Sequence, residues 1–238
     1  PCETINVIYG DNAQGKTNFI EAVWLFTGNP SFRGSKSGEL VRFGQPEAKI
    51  KIDFSDRQRS QHAELTYGEK RKILLNKVEL KTSGDLNGNF YSVVFSPTHL
   101  SLIQDGPRER RRFLDTAILQ ITPQYKGYLS LYEKILEQRN ALLKNSFRYA
   151  NLQENIEIWD EQLAKAGTIL SIYRNDYIKK LEKVAAGIYE GLSGKKEEFS
   201  LQYQSTVFSD IAVVERYEDR HVERYRAALK ESFSADLK

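Results

Sequence analysis

The chain has 238 residues, a formal net charge of +3, 40% hydrophobic and 28% charged residues. This is the make-up of an ordinary folded chain, long enough to bury a substantial core in one large domain or two lobes. No run of about eighteen apolar residues is available to span a membrane, no basic-then-apolar leader points to secretion, and a single cysteine, Cys2, excludes an internal disulfide and a cysteine-based zinc cluster, so a reducing cytoplasm is the expected compartment.

Ile5-Asn6-Val7-Ile8-Tyr9 is a run of β-formers and predicts a strand. It feeds Gly10-Asp11-Asn12-Ala13-Gln14-Gly15-Lys16-Thr17, a glycine-bounded loop of the form G-x-x-x-x-G-K-[ST], and a helical pattern follows at once. Gly10 and Gly15 let the backbone wrap so that consecutive N–H groups point at phosphate oxygens. Lys16 can reach the β- and γ-phosphates, and Thr17 can offer its hydroxyl to Mg²⁺ at the positive end of the helix. The expected site is therefore one for a triphosphate.

The helix predicted over 17–27 carries Phe19, Ile20, Val23, Trp24 and Phe26 on an apolar stripe that should pack on a sheet, with Gly28 as C-cap. The polar loop from Ser31 to Gly38 holds Arg33 and Lys36, either of which could approach a nucleotide or a partner. From Ala48 to Phe95 the pattern turns β. Lys49 to Phe54 alternates charged and apolar, Ala63–Tyr67 turns through Gly68-Glu69 into Arg71–Leu75, and Val78–Leu80 follows Asn76-Lys77, so an antiparallel meander is expected. Phe90–Phe95 is apolar throughout and predicts a buried strand of the central sheet.

Residues from about 98 to 192 read as helical. A helix opening at Gly106-Pro107 carries Arg108, Arg110, Arg111 and Arg112, a basic cluster that, like Lys70-Arg71-Lys72, reads on its own as a solvated face. Glu154, Glu157, Asp160 and Glu161 read as an acidic face. A helix over 123–144 is followed by a longer one with Leu152, Ile156, Trp159, Leu163, Ala166, Leu170, Tyr173 and Tyr177 at heptad-like spacing, and the two should pair antiparallel. Leu192-Ser193-Gly194 ends that helix, with Gly194 as its left-handed terminator. Phe199–Gln204 predicts a strand, and Ile211–Leu237 a charged helix.

Six separated blocks follow in one order. They are Asn6 to Asn18; Ser31-Phe32-Arg33-Gly34; Val93-Val94-Phe95-Ser96-Pro97; Arg110-Arg111-Arg112-Phe113-Leu114-Asp115; Gln138 to Lys144; and Trp159 to Leu163. In these blocks the chain resembles the RecF family of bacterial DNA replication and repair proteins. The resemblance implies an α/β P-loop NTPase of the ABC-ATPase-head type, related to structural-maintenance-of-chromosomes heads, with a mixed sheet lobe, an antiparallel β-meander and an inserted helical lobe. It divides the chain into an ATP-binding lobe I at 1–97, a helical lobe II at 98–195, and at 196–238 a return strand and the start of the rest of lobe I.

The resemblance further implies ATP and Mg²⁺ as cofactors, an ATP-dependent homodimer, slow hydrolysis, and binding to double-stranded or gapped DNA. It also implies work with RecO and RecR to load RecA at single-strand gaps. Carried over by position, Gly10, Asp11, Asn12, Ala13, Gln14, Gly15, Lys16 and Thr17 hold the nucleotide and Thr17 the metal. Arg108, Arg110, Arg111 and Arg112 are the DNA-binding candidates. Two departures stand out. Thr98-His99 occupy the place of a frequent acidic pair, and no hydrophobic run ends in Asp-Asp or Asp-Glu, so the Walker B and signature motifs are missing. The chain is accordingly expected to be a fragment, without the hydrolysis of a full-length weak ATPase. The alternative is a P-loop kinase for a small metabolite, which the meander and the helical insertion do not fit.

Overall fold

In the computed structural model, residues 5–55, 59–104, 106–146 and 152–237 are described. The chain divides into two compact units, Pro1–Pro123 and Gln124–Lys238.

The first unit is built on a four-stranded antiparallel sheet, β1 (Glu47–Ser55), β2 (Ser60–Gly68), β3 (Lys72–Leu75) and β4 (Val78–Glu79), in sequential order. This is the expected meander. Asn76 and Lys77 both take positive φ, 50° and 71°, as a two-residue hairpin turn requires. One face is charged: Lys51 stands opposite Glu64 in the ladder and bonds it at 3.0 Å, with Lys49 at 3.5 Å. The Lys51 bond holds the Glu64 carboxyl below the usual carboxylate range. The other face carries Ala63, Leu65, Tyr67 and Ile73 into a core with Leu25, Phe26 and Leu86, joined by Ile50, Ile52 and Phe54 of β1.

Helix α1 (Lys16–Leu25) supplies Leu25 to this core. Its buried face is Glu21, Trp24 and Leu25, whereas Phe19 and Ile20, expected on the packed stripe, are 57% and 43% exposed. A buried acid displaces them because Glu21 finds hydrogen-bond partners in the loop that follows. Trp24 is core, as expected, and its indole N–H donates to the Pro30 carbonyl at 2.8 Å. The short α2 (Ser101–Gln104) precedes α3 (Pro107–Ile121), which buries Leu114, Ile118 and Gln120. Asn29 and Gln120 tie the α3 region to this unit, through Asn29 Nδ2 to the Thr116 carbonyl and the Ser92 N–H to Gln120 Oε1.

Three predicted strands do not form. Residues 5–9, 90–95 and 199–204 belong to no sheet among the described residues. Ile5, Val7 and Tyr9 are 76%, 77% and 91% exposed, and Val93 and Phe95 are 97% and 89% exposed. A run that is apolar on both faces needs strand neighbours and a layer on each side, and the only sheet described is the meander.

In the second unit, α4 (Tyr125–Lys144) packs antiparallel on the 42-residue α5 (Leu152–Ser193), and α6 (Asp219–Asp236) joins them. The antiparallel sense follows from the contacts: Tyr125 stacks edge-on against Tyr173 at 5.4 Å, while Arg139 bonds Asp160. The seam behaves as read, with Ile156, Leu163, Ala166 and Leu170 buried. Helix α5 ends at Ser193 with Gly194 at φ 61°, again as expected. Asp160, expected on an acidic surface, is instead buried.

Gly167 is where α5 admits α6. An added Cβ would lie 2.5 Å from the Tyr225 ring, whose hydroxyl sits 3.4 Å from that of Tyr132. Burial pushes the Tyr225 phenol well above its ordinary value. Gly167→Ala is expected to lower stability in urea unfolding by about 1–3 kcal/mol through overpacking, although alanine is the better helix former by about 1 kcal/mol. Adding Tyr225→Leu should recover most of that loss.

Candidate nucleotide-binding site

The predicted loop closes as its glycines require. Gly10 and Gly15 adopt φ 146° and 85°, and Ala13, between them, takes φ 65°. Among the described residues beyond its own chain neighbours, no atom lies within 4 Å of a Cβ added at Gly10 or Gly15, so the need for glycine there is conformational. Gly15 is the N-cap of α1, and the first intrahelical bond is Phe19 N–H to the Gly15 carbonyl at 3.0 Å. The N–H groups of Lys16, Thr17 and Asn18 therefore precede any intrahelical acceptor. No side chain caps this end and the first turn holds no acid. An oriented set of donors at the positive end of a helix is an anion site.

Lys16 folds back over this loop. Its ammonium donates to the carbonyls of Gly10 at 2.7 Å and Asp11 at 2.6 Å, which holds the charge at the mouth of the ring formed by Gly10 to Thr17. Thr17 is exposed, with its hydroxyl at the helix start. Among the described residues no group of three His, Cys, Asp or Glu side chains could hold a metal. The donor set suits Mg²⁺ carried by phosphate oxygens and water with one hydroxyl from the protein, and no all-protein cage.

A second layer, missed in the sequence, lies beside the first turn of α1. Glu21, 4% exposed, accepts a short hydrogen bond from the Ser31 hydroxyl and a salt bridge from Arg33 at 3.1 Å. Arg33 also donates to Asn18 Oδ1 at 2.8 Å, and the Ser31 hydroxyl oxygen accepts the N–H groups of Arg33 and Ser35. The loop thereby brings Arg33 to the residue that follows Lys16-Thr17, whereas Lys36 remains exposed. A cavity of about 370 Å³ lies here, between Asn18, Glu21 and Arg33 on its polar side and Leu25, Leu40 and Ile50 on its apolar side. The available signal was Glu21 itself, an acid three and four residues before Trp24 and Leu25 on one helix face, which must be buried with partners.

The basic cluster divides. Arg112 bonds Glu109 at 3.7 Å and reaches the Ser31 carbonyl at 3.5 Å, so α3 touches the loop that follows α1. Arg110 donates to the Leu102 carbonyl at 3.3 Å. Arg108 and Arg111 are exposed on α3 with no partner among the described residues.

Residues 3–198 match the family model of the AAA domain. The chain is 38% identical over 235 residues to the DNA replication and repair protein RecF of Alkaliphilus oremlandii, covering 98% of this chain and 62% of that one. It is 37% identical over 207 residues to RecF of Acetivibrio thermocellus, covering 86% and 56%. Two solved structures of the recombination mediator protein RecF in the RecFOR pathway, as RecF-ATPrS and as RecF-ATP, superpose with TM-scores of 0.91 and 0.89 at 33% and 34% identity. Each match covers 99% of this chain and 63% of the other. The chain thus spans somewhat under two thirds of the length of these relatives. The glycine-bounded loop, its Lys-Thr end, the helix and the meander are those of a P-loop ABC-type ATPase head, and the chain belongs to the AAA domain family, among its RecF-type members.

Proposed function

We propose that this chain is the nucleotide-holding part of a cytoplasmic DNA repair and replication protein of the RecF type. The whole protein binds ATP with Mg²⁺, dimerises on ATP, hydrolyses it slowly, and acts on double-stranded or gapped DNA with RecO and RecR to load RecA; this chain on its own holds the nucleotide without hydrolysing it. The observation that carries this reading is the Gly10–Thr17 loop, with its uncapped helix start and the Lys16 ammonium held over it. In this reading residues 1–97 form the nucleotide lobe and 98–195 the helical lobe, with 196–238, whose α6 packs on α5, following it. The apolar runs 5–9 and 90–95 then take their strand neighbours from the part of the RecF length that lies outside the match.

In the mechanism this supports, the backbone N–H groups of Gly10 to Thr17 cradle the phosphates. Lys16 transfers its ammonium from the Gly10 and Asp11 carbonyls to phosphate oxygens, and the Thr17 hydroxyl is the group that would hold Mg²⁺. Mg²⁺ bound there would supply positive charge against the phosphoryl oxygens. Asn18, held by Arg33 and through it by Glu21, fixes the first turn of α1 so that these donors keep their aim.

DNA contact is assigned to Arg108 and Arg111, with Arg110 and Arg112 beside them on α3. It is a backbone contact without sequence readout. The test is salt-dependent DNA binding by the protein with and without ATP. Arg108→Ala/Arg111→Ala is expected to weaken binding equally across sequences and to reduce the salt slope by about 1 per lost contact. DNA binding indifferent to ATP, to salt and to both arginines would remove this reading, and a phosphorylated small-molecule product would replace it with the kinase.

A further inference from the structure

The Lys70-Arg71-Lys72 cluster lies apart from α3, and the fold gives it an aromatic companion. Gln45 N–H donates to the Arg42 carbonyl at 2.9 Å and Gly44 takes φ 78°, the arrangement of a type II turn with Phe43 at its corner. Phe43 is fully exposed, at 103% of its reference area, and among described residues 37–77 no other large apolar side chain is exposed. A lone ring without an apolar surround does not make the core of a protein interface. It is, however, the size of one nucleobase, and the tight turn holds it out from the surface.

The cations stand beside it. Glu47 pairs with Gly68 across the sheet, and a Cβ on Gly68 would lie 2.8 Å from the Pro46 carbonyl oxygen. The Arg42–Pro46 turn and the β2–β3 connection therefore leave the sheet at the same end, backbone against backbone. Arg71 is held there with its guanidinium 5.2 Å from the centre of the Tyr67 ring. Arg42, Lys70 and Lys72 are exposed with no partner among the described residues, against Glu47 and Glu69 as the nearby acids. Positive charge is in excess, and it flanks a ring.

We propose that this end of the sheet is a binding surface for single-stranded DNA. Phe43 stacks on one unpaired base, and Arg42, Lys70 and Lys72 take the adjoining phosphates. A duplex offers no free base face here, so the surface distinguishes single strands from the duplex contact assigned to α3. The inference rests on the reading that the protein binds DNA. Stacking on one aromatic side chain is sequence-tolerant and large enough to measure by alanine substitution.

The probe is a single-stranded oligonucleotide carrying 2-aminopurine, titrated against the protein beside a blunt duplex of the same sequence. The wild type is expected to quench the probe. Phe43→Ala should lose the quench and bind the single strand about tenfold more weakly, with duplex affinity unchanged, and Phe43→Trp should restore both. Lys70→Gln/Lys72→Gln should flatten the salt dependence for the single strand alone. Because Phe43 is fully exposed, loss of folding does not cloud the result. Unchanged single-strand affinity and quench in Phe43→Ala, with duplex binding intact, overturns this inference and leaves the proposed function standing. The same result with loss of a protein partner assigns the ring to that partner, and no DNA binding of any kind overturns both.

Discussion

Lys16→Ala is expected to weaken ATP binding about a hundredfold while leaving the fold intact. The ammonium makes two short bonds to the carbonyls of Gly10 and Asp11 and has only to swing across the loop mouth to reach a phosphate. Two hydrogen bonds to a charged group contribute about 1.5–3 kcal/mol each, and about 3 kcal/mol is a factor of about one hundred in affinity. The effect on stability should be small and of the opposite sign. A cation in the first turn of a helix opposes the dipole, and Lys16 stands at the uncapped start of α1 with no acid beside it. Calorimetric titration with ATP and Mg²⁺ measures the first quantity and thermal unfolding without nucleotide the second. A variant whose ATP affinity stays within about threefold of wild type would deny Lys16 its role and with it the phosphate reading of the loop.

What the sequence shows of this site is its main-chain part. Glycine spacing, the Lys-Thr end and the apolar run before it are local signals, and the positive φ values at Gly10 and Gly15 are the conformations that spacing demands. The meander was legible for the same reason, since alternation along Lys49–Phe54 maps directly onto alternate burial in β1. The long seam of α5 and its end at Gly194 are equally local. Failures arise where a side chain's fate depends on what comes to meet it. Phe19 and Glu21 lie on one short helix, and hydropathy buries the first and exposes the second. The structure does the reverse, because Ser31 and Arg33 return to satisfy the carboxylate.

The strands at 5–9 and 90–95 fail for a related reason. Their composition is that of central strands, but a strand is a relation between segments, and the described residues hold no neighbour for either. Asp160 shows the limit most plainly. In the row Glu154, Glu157, Asp160, Glu161 it looks like one more surface acid, and nothing nearby in sequence reveals that an arginine 21 residues earlier will neutralise it.

That arginine carries the largest expected stability effect in the second unit. Arg139 and Asp160 are each 3% exposed; Arg139 Nε donates to Asp160 at 2.6 Å and its Nη1 to Asp236 of α6 at 2.9 Å. Burial opposes the guanidinium charge, but the bonds to Asp160 and Asp236 outweigh it and raise the pKa. Three helices thus share one buried cation. Arg139→Met strands the Asp160 carboxylate in the interior and is expected to cost about 3–5 kcal/mol in urea unfolding. Asp236→Asn should cost less, because Asp236 is partly open to water. Buried pairs bear a desolvation penalty that an apolar pair does not, and Arg139 Nη2 is buried without a hydrogen-bond partner among the described residues. Arg139→Met/Asp160→Leu is therefore expected to regain most of the loss and come within about 1 kcal/mol of wild type. If the double variant is as unstable as Arg139→Met alone, the loss comes from packing around the arginine and the charge argument fails. Recovery of stability with α6 no longer held in place, read by hydrogen exchange at Tyr225 and its neighbours, would show that the triad serves to orient the three helices and adds little to their stability.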